Sequence, residues 1–190
     1  VSVETIKVRI NGCRPLLMRS GRMSDPLDPI VRDLAKVTGK RLKTAADHEE
    51  IARIEWFGGL WLSEGQPCIP SEAIEASFIA AARAKRKARQ ARAGIMVKAP
   101  CPLDYEGPRD PRKLWEDRTF QLRRSVRVHN ARTIRTRPHF PTWRAEATVN
   151  FLPSLLDRVE VLEIFEIAGA QEGIGDWRPK YGTFTVELID

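Results

Sequence analysis

Gly173-Ile174-Gly175-Asp176-Trp177-Arg178-Pro179-Lys180-Tyr181-Gly182-Thr183-Phe184 lies between a helical pattern and a closing strand, and its reading decides the fold. Three glycines permit tight turning and the close approach of a backbone to a neighbouring group. Trp177, Arg178 and Lys180 stand between them, a stacking face beside two cations. A loop of this composition suits a phosphate backbone with a base laid on an aromatic ring. Gly173, Gly175, Trp177, Arg178 and Lys180 are therefore expected to contact nucleic acid, with a core plug packed behind the loop as the alternative for Trp177.

On the N-terminal side of the loop, Pro153-Ser154 is expected to open a helix, with Asp157 completing a capping box. Leu155, Val159, Leu162 and Phe165 form its expected core face, Glu160, Glu163 and Glu166 its solvent face, and Gly169 its end. Before that helix, Trp143, Ala145, Ala147, Val149 and Phe151 alternate with Arg144, Glu146, Thr148 and Asn150, the clearest strand of the chain. After the loop, Phe184, Val186 and Leu188 alternate again. Strand, helix and strand in that order can share one sheet through a crossover helix.

Further from the loop, Ile6, Val8 and Ile10 oppose Thr5, Lys7 and Arg9 in a half-buried strand. Asp25-Pro26-Leu27-Asp28-Pro29 caps a short helix over residues 30–37, and Thr44 with Asp47 boxes the start of a second. Ile51, Ile54 and Phe57 give that second helix its apolar side, and Gly58-Gly59 ends it. Leu60-Trp61-Leu62 and Pro67-Cys68-Ile69 flank a Glu64-Gly65 turn, and Ser71 is the expected N-cap of a third helix carrying Ile74, Phe78 and Ala81. Trp61 and Trp143 belong to apolar patterns and read as core. The whole reads as a single α+β domain over residues 1–190. Its expected form is a ferredoxin-like, RNA-recognition-type sheet with helices on one face and the other face open to a ligand.

The 190 residues are 42% hydrophobic, enough for a packed core. No apolar run approaches the roughly 20 residues that span a bilayer, and the first residues lack a signal-peptide pattern, so a cytoplasmic protein without membrane contact is expected. Cys13, Cys68 and Cys101 form neither a zinc pattern nor a disulfide framework and read as reduced, buried thiols. No metal or other cofactor is expected.

The net charge is +7, and its distribution is uneven. Residues 83–137 hold 17 Lys/Arg against 5 Asp/Glu, and the remainder 15 against 20. This basic insertion calls for a polyanion. Its first part, with Arg83, Lys85, Arg86, Lys87, Arg89 and Arg92, prolongs the third helix without an apolar stripe and is expected to enter solvent or fray. Residues 99–111, rich in Pro, Gly and Asp, read as an exposed loop, and residues 112–117 as a helical turn around Trp115. Residues 122–136 read as extended strands or a hairpin. Arg123, Arg124, Arg127, Arg132, Arg135 and Arg137 follow one another there, and in uninterrupted extended chain Arg123, Arg127, Arg135 and Arg137 share a face. Arginine forks suit phosphate oxygens and stack on bases. The alternative partner is the acidic helix face of Glu160, Glu163 and Glu166.

Two stretches carry a resemblance: the glycine loop, and Cys68-Ile69-Pro70-Ser71-Glu72-Ala73-Ile74 leading into a helix. Together with the order of strands and helices, they resemble the repeat-associated mysterious proteins (RAMPs), the superfamily that includes the crRNA-binding backbone subunits of CRISPR effector complexes. This chain has Ser71 where the family has a glycine after the proline, and Glu75 where it has a basic residue. The resemblance implies RNA as ligand, an inserted hairpin "thumb" that contacts it, head-to-tail stacking of copies, and other complex subunits as partners. A stand-alone or phage-encoded relative carries the same signature.

The expected function is non-enzymatic binding of single-stranded nucleic acid, RNA before DNA, with assembly into a filament or multisubunit ribonucleoprotein. A metal-independent endoribonuclease using His129 or His139 as general base is the enzymatic alternative. A self-assembling structural protein without nucleic acid is the other. Some family members cleave with an aspartate in the loop after the first strand, where this chain has Asp25 and Asp28. Both precede prolines, as ordinary turn formers do, and neither is assigned a catalytic role.

Overall fold

The computed structural model describes residues 2–189. From the N-terminus the elements are β1 (Glu4–Gly12), β2 (Leu16–Leu17), α1 (Pro29–Thr38), α2 (Ala45–Gly59), β3 (Leu62–Ser63), β4 (Gln66–Ile69) and α3 (Ser71–Ala81). Then follow α4 (Ala88–Gly94), β5 (Ile95–Val97), β6 (Cys101–Pro102) and α5 (Pro111–Glu116). The chain closes with β7 (Gln121–Val128), β8 (Ala131–Phe140), β9 (Arg144–Phe151), α6 (Arg158–Ile167) and β10 (Phe184–Leu188). The protein is α+β, and its strand pairs are antiparallel.

The main sheet has the order β10-β1-β9-β5. Strand β1 sits between β9 and β10 and runs against both, so those two are parallel to each other and α6 is the crossover between them. The register sets Ile6 against Val149, Val8 against Ala147 and Ile10 against Ala145, which puts the apolar set of each strand on one face. Helices α3 and α6 cover that face and meet where the Phe78 and Phe165 rings lie 4.8 Å apart. The outer face carries Thr5, Lys7, Arg9, Glu146, Thr148, Asn150 and Glu187.

A second body of structure is built on the β2-β8-β7 sheet. Helix α2 packs on β8 and α5, where Trp56 stands 5.5 Å from Trp115 and donates its Nε1–H to the Phe120 carbonyl at 2.7 Å. The Tyr105, Phe120 and Phe140 rings fill the junction with the main core. The short β3-β4-β6 sheet closes one side.

Several local expectations are corrected. Helix α3 is started by Pro70, whose carbonyl accepts the Ala73 N–H, so Ser71 is its first residue rather than its cap. The basic tail does not prolong α3. The chain turns after Ala81, with Arg86 at φ 58, restarts as α4 and buries Ala91 and Gly94. It then feeds β5, an edge strand of the main sheet, so α4 and β5 are part of the main fold rather than a solvent-borne tail. Residues 99–111 are not simply a surface loop: β6 pairs with β4, and Leu103 and Tyr105 are buried.

Helix α6 begins after Asp157, which forms the capping box with Glu160, so Pro153 and Ser154 lie before it. Its core stripe is Val161, Ile164, Phe165 and Ala168, and Val159 is 65% exposed. The π-helical turn Ala168–Glu172 extends the helix past Gly169, which presses on the Phe184 carbonyl. Gly173, at φ 72, ends the turn instead. Cys13 is exposed, unlike Cys68 and Cys101. Trp143 is buried and Trp61 packs against the core. Among the described residues no helix is long and apolar enough to cross a membrane.

Candidate nucleic-acid interface

Residues 121–140 contain six arginines and no carboxylate. They form the β7–β8 hairpin, closed by a two-residue turn at His129-Asn130 with His129 at φ 52. The ladder pairs Arg127 with Arg132, Arg124 with Arg135 and Leu122 with Arg137. Cross-strand partners share a face, so this turn reverses the face assignment expected for uninterrupted chain. Arg123, Arg127 and Arg132 project from one face, and Arg124, Arg135 and Arg137 from the other.

The six differ in what they touch. Arg137 is 8% exposed and donates from Nε to Asp176 Oδ2 at 2.8 Å, joining the base of the hairpin to the glycine loop. Arg135 donates to Glu55 Oε1 at 2.6 Å, and the same carboxylate accepts the Thr136 N–H at 2.9 Å. Glu55 is 3% exposed and so ties β8, where its edge extends beyond the β2 pairing, to α2. Arg123, Arg124, Arg127 and Arg132 are exposed, and among the described residues none has a carboxylate partner. Arg127 donates only to the His129 carbonyl, at 3.3 Å.

Unpaired like charges on one hairpin repel one another and concentrate positive potential at its surface. The acidic face of α6 is not their counterweight. Glu160 pairs with Lys87 at 2.9 Å, and Glu163 pairs with Lys85. Arg83, Arg86, Arg89 and Arg92 are exposed beside them.

In the glycine loop, the space that glycine leaves is filled by the chain itself. A Cβ on Gly175, at φ 95, would overlap the Leu17 carbonyl oxygen, and one on Gly182 would overlap that of Ile174. Asp176 N–H donates to Leu17 and Gly182 N–H to Pro15, both at 2.8 Å. Gly173 is buried. The close approach that composition suggests for a ligand is therefore made by the β2 segment. Trp177 is half-buried at φ 52, with its ring 6.0 Å from Tyr181, and its other neighbours line a groove. Arg178 and Lys180 are exposed.

That groove, about 420 Å³, lies between Trp177, Arg19 and the Val126, Val128 and Arg137 face of the hairpin, with Arg127 at its edge. A larger one, about 740 Å³, lies across Arg135 between the hairpin and the α1–α2 pair. Sequence reasoning misses it. Its one signal is the i, i+3, i+4 set Val31, Leu34 and Ala35 on α1, a helix in which no residue is fully buried.

The outer face of the main sheet is open but neutralised, with Arg9 bridging Glu146 at 2.9 Å and Glu187 at 3.6 Å. Among the described residues of that face there is no aromatic ring on which a base could stack. His129 and His139 sit at opposite ends of the hairpin, and His139 Nδ1 lies 2.8 Å from the Thr119 carbonyl. Asp28 caps α1 and holds Arg22 in a fork of two 2.9 Å bonds, with Arg22 keeping its carboxyl below the usual range. Asp25 accepts the Leu27 N–H. Among the described residues no group of three His, Cys, Asp or Glu side chains is placed to hold a metal. Burial raises the Cys68 thiol and pushes Cys101 up to about 11.

Comparison with protein-family models and with curated proteins finds no match.

Proposed function

We propose that this protein is a non-enzymatic binder of single-stranded nucleic acid, RNA in preference to DNA. The observation that carries the reading is the β7–β8 hairpin, with four exposed arginines that have no carboxylate partner among the described residues. Cations left unpaired at a folded surface are the electrostatic footprint of polyanion binding. Trp177 adds a half-open ring in one groove with Arg127 for base stacking.

The order β1-α3-β5-β9-α6-β10, with sheet order β10-β1-β9-β5, supports a ferredoxin-like assignment. The hairpin enters between the second and third strands of that sheet, which suits a RAMP-like thumb. On this reading copies stack head to tail along a strand, alone or with other subunits, and the basic hairpin of one meets the acidic remainder of the next.

The test is nucleic acid that co-purifies at low salt, followed after its removal by titration with labelled single-stranded RNA, single-stranded DNA and duplex of one sequence. Co-purified RNA and tightest binding to single-stranded RNA are expected. A nucleic-acid-free preparation that binds none of the three overturns the proposal.

A further inference from the structure

The larger groove is a cleft on the Arg123–Arg132 face of the hairpin, and the Arg135–Glu55 pair stands between it and the smaller groove. Helix α2 is the floor of the cleft, α1 one wall and the hairpin the other. The two walls differ in chemistry. The α1 wall is apolar and small, with Val31, Leu34, Ala35 and Thr38. The hairpin wall is cationic, with Arg123 and Arg132. Lys43 and His48 close one end. Among the described residues Glu55 is the one carboxylate that lines the cleft, and it is already held by Arg135 and the Thr136 N–H.

From this pairing of walls we infer that the single strand lies inside the cleft between α1 and the hairpin, with phosphates on the arginines and bases against α1. The inference rests on the nucleic-acid reading above and adds the path of the strand. Charge complementarity selects the occupant. A cationic wall asks for an evenly spaced anion, and a facing apolar wall asks for flat surfaces to bury, which a single strand supplies together. A duplex hides its bases and presents phosphate to both walls, so the α1 wall gives it nothing. The open main-sheet face offers no equivalent, since its charges are paired.

The test places a carboxylate on the α1 wall, where no arginine is touched. Ala35 and Thr38 are exposed helical positions, so Ala35→Glu and Thr38→Glu leave the fold intact, which a melting curve checks. Val159→Glu on α6 adds the same charge outside the cleft at a 65% exposed site. Titrated with labelled single-stranded RNA at low salt, the two α1 variants are expected to lose about tenfold in affinity, and Val159→Glu less than about twofold. If all three variants bind like the parent protein, or all weaken alike, the strand does not run through the cleft, while the binding reading stands. If the parent protein binds no single strand, both fail.

Discussion

Arg137 Nε lies 2.8 Å from Asp176 Oδ2, and this ion pair, 10% and 18% exposed at its side chains, joins the basic hairpin to the glycine loop. Two arginines of one hairpin therefore do opposite things: Arg137 is spent on architecture, and Arg123, on the other face, is left to solvent. Removing one partner of a buried pair leaves the other uncompensated.

Arg137→Ala is expected to lower stability by about 2–4 kcal/mol, a fall in Tm on the order of 10 °C. Arg123→Ala is expected to change stability by less than about 0.5 kcal/mol, because it removes only a repelled, exposed charge. Calorimetric melting of the two variants checks this. Equal losses would mean that the hairpin arginines are not divided in this way.

Gly175→Ala meets both a left-handed φ of 95 and the Leu17 carbonyl. It is expected to destabilise the fold by about 1–3 kcal/mol with no nucleic acid present. Trp177→Ala, at the half-open edge of the loop, is expected to weaken binding of single-stranded RNA by several-fold, within the roughly 1–3 kcal/mol that a stacked base contributes. Parallel melting and titration separate the two roles. A Trp177→Ala protein that melts far lower yet binds normally while folded would assign the ring to the core.

Acid should loosen the α1–α2 region early. Asp47 is held down to about 2, first by Lys40 at 2.5 Å and then by the Thr44 N–H, against an ordinary value of 3.8. Arg22 lowers Asp28 in the same direction. A carboxyl depressed in the fold contributes stability that is complete above its unfolded value and lost as pH falls through the folded one. Amide exchange at the starts of α1 and α2 is therefore expected to quicken between about pH 4 and about pH 2. Asp47→Asn should remove most of the α2 change. Exchange at α2 that is flat across that window would show that the cap contributes little.

Much of the fold is legible in the sequence because period and caps are local. The alternations through Ile6–Ile10 and Ala145–Phe151 mark two central strands, and the Thr44–Asp47 box marks the start of α2. What escapes depends on distant partners. Strand β5 is three residues long, too short for a period, and exists because β9 offers an edge. The faces of the hairpin arginines depend on the length of one turn, since a single residue more would exchange them. The glycine loop reads as a site of close approach, yet composition does not say what approaches, and here it is Leu17 and Pro15. Which arginines are spoken for depends on Glu55 and Asp176, 80 and 39 residues away in sequence.

The most direct test of nucleic-acid binding through the hairpin is the salt dependence of affinity for single-stranded RNA. It compares the parent protein with the variant in which Arg123, Arg124, Arg127 and Arg132 are all alanine. Every phosphate of a single strand that an arginine neutralises adds about 0.7 to the steepness of log affinity against log salt, so removing all four arginines flattens it by up to about 2.8. A variant that stays folded, binds more weakly and shows that flatter slope is the expected result. A folded variant with the parent's slope and affinity would contradict it, because those four arginines would then touch no phosphate.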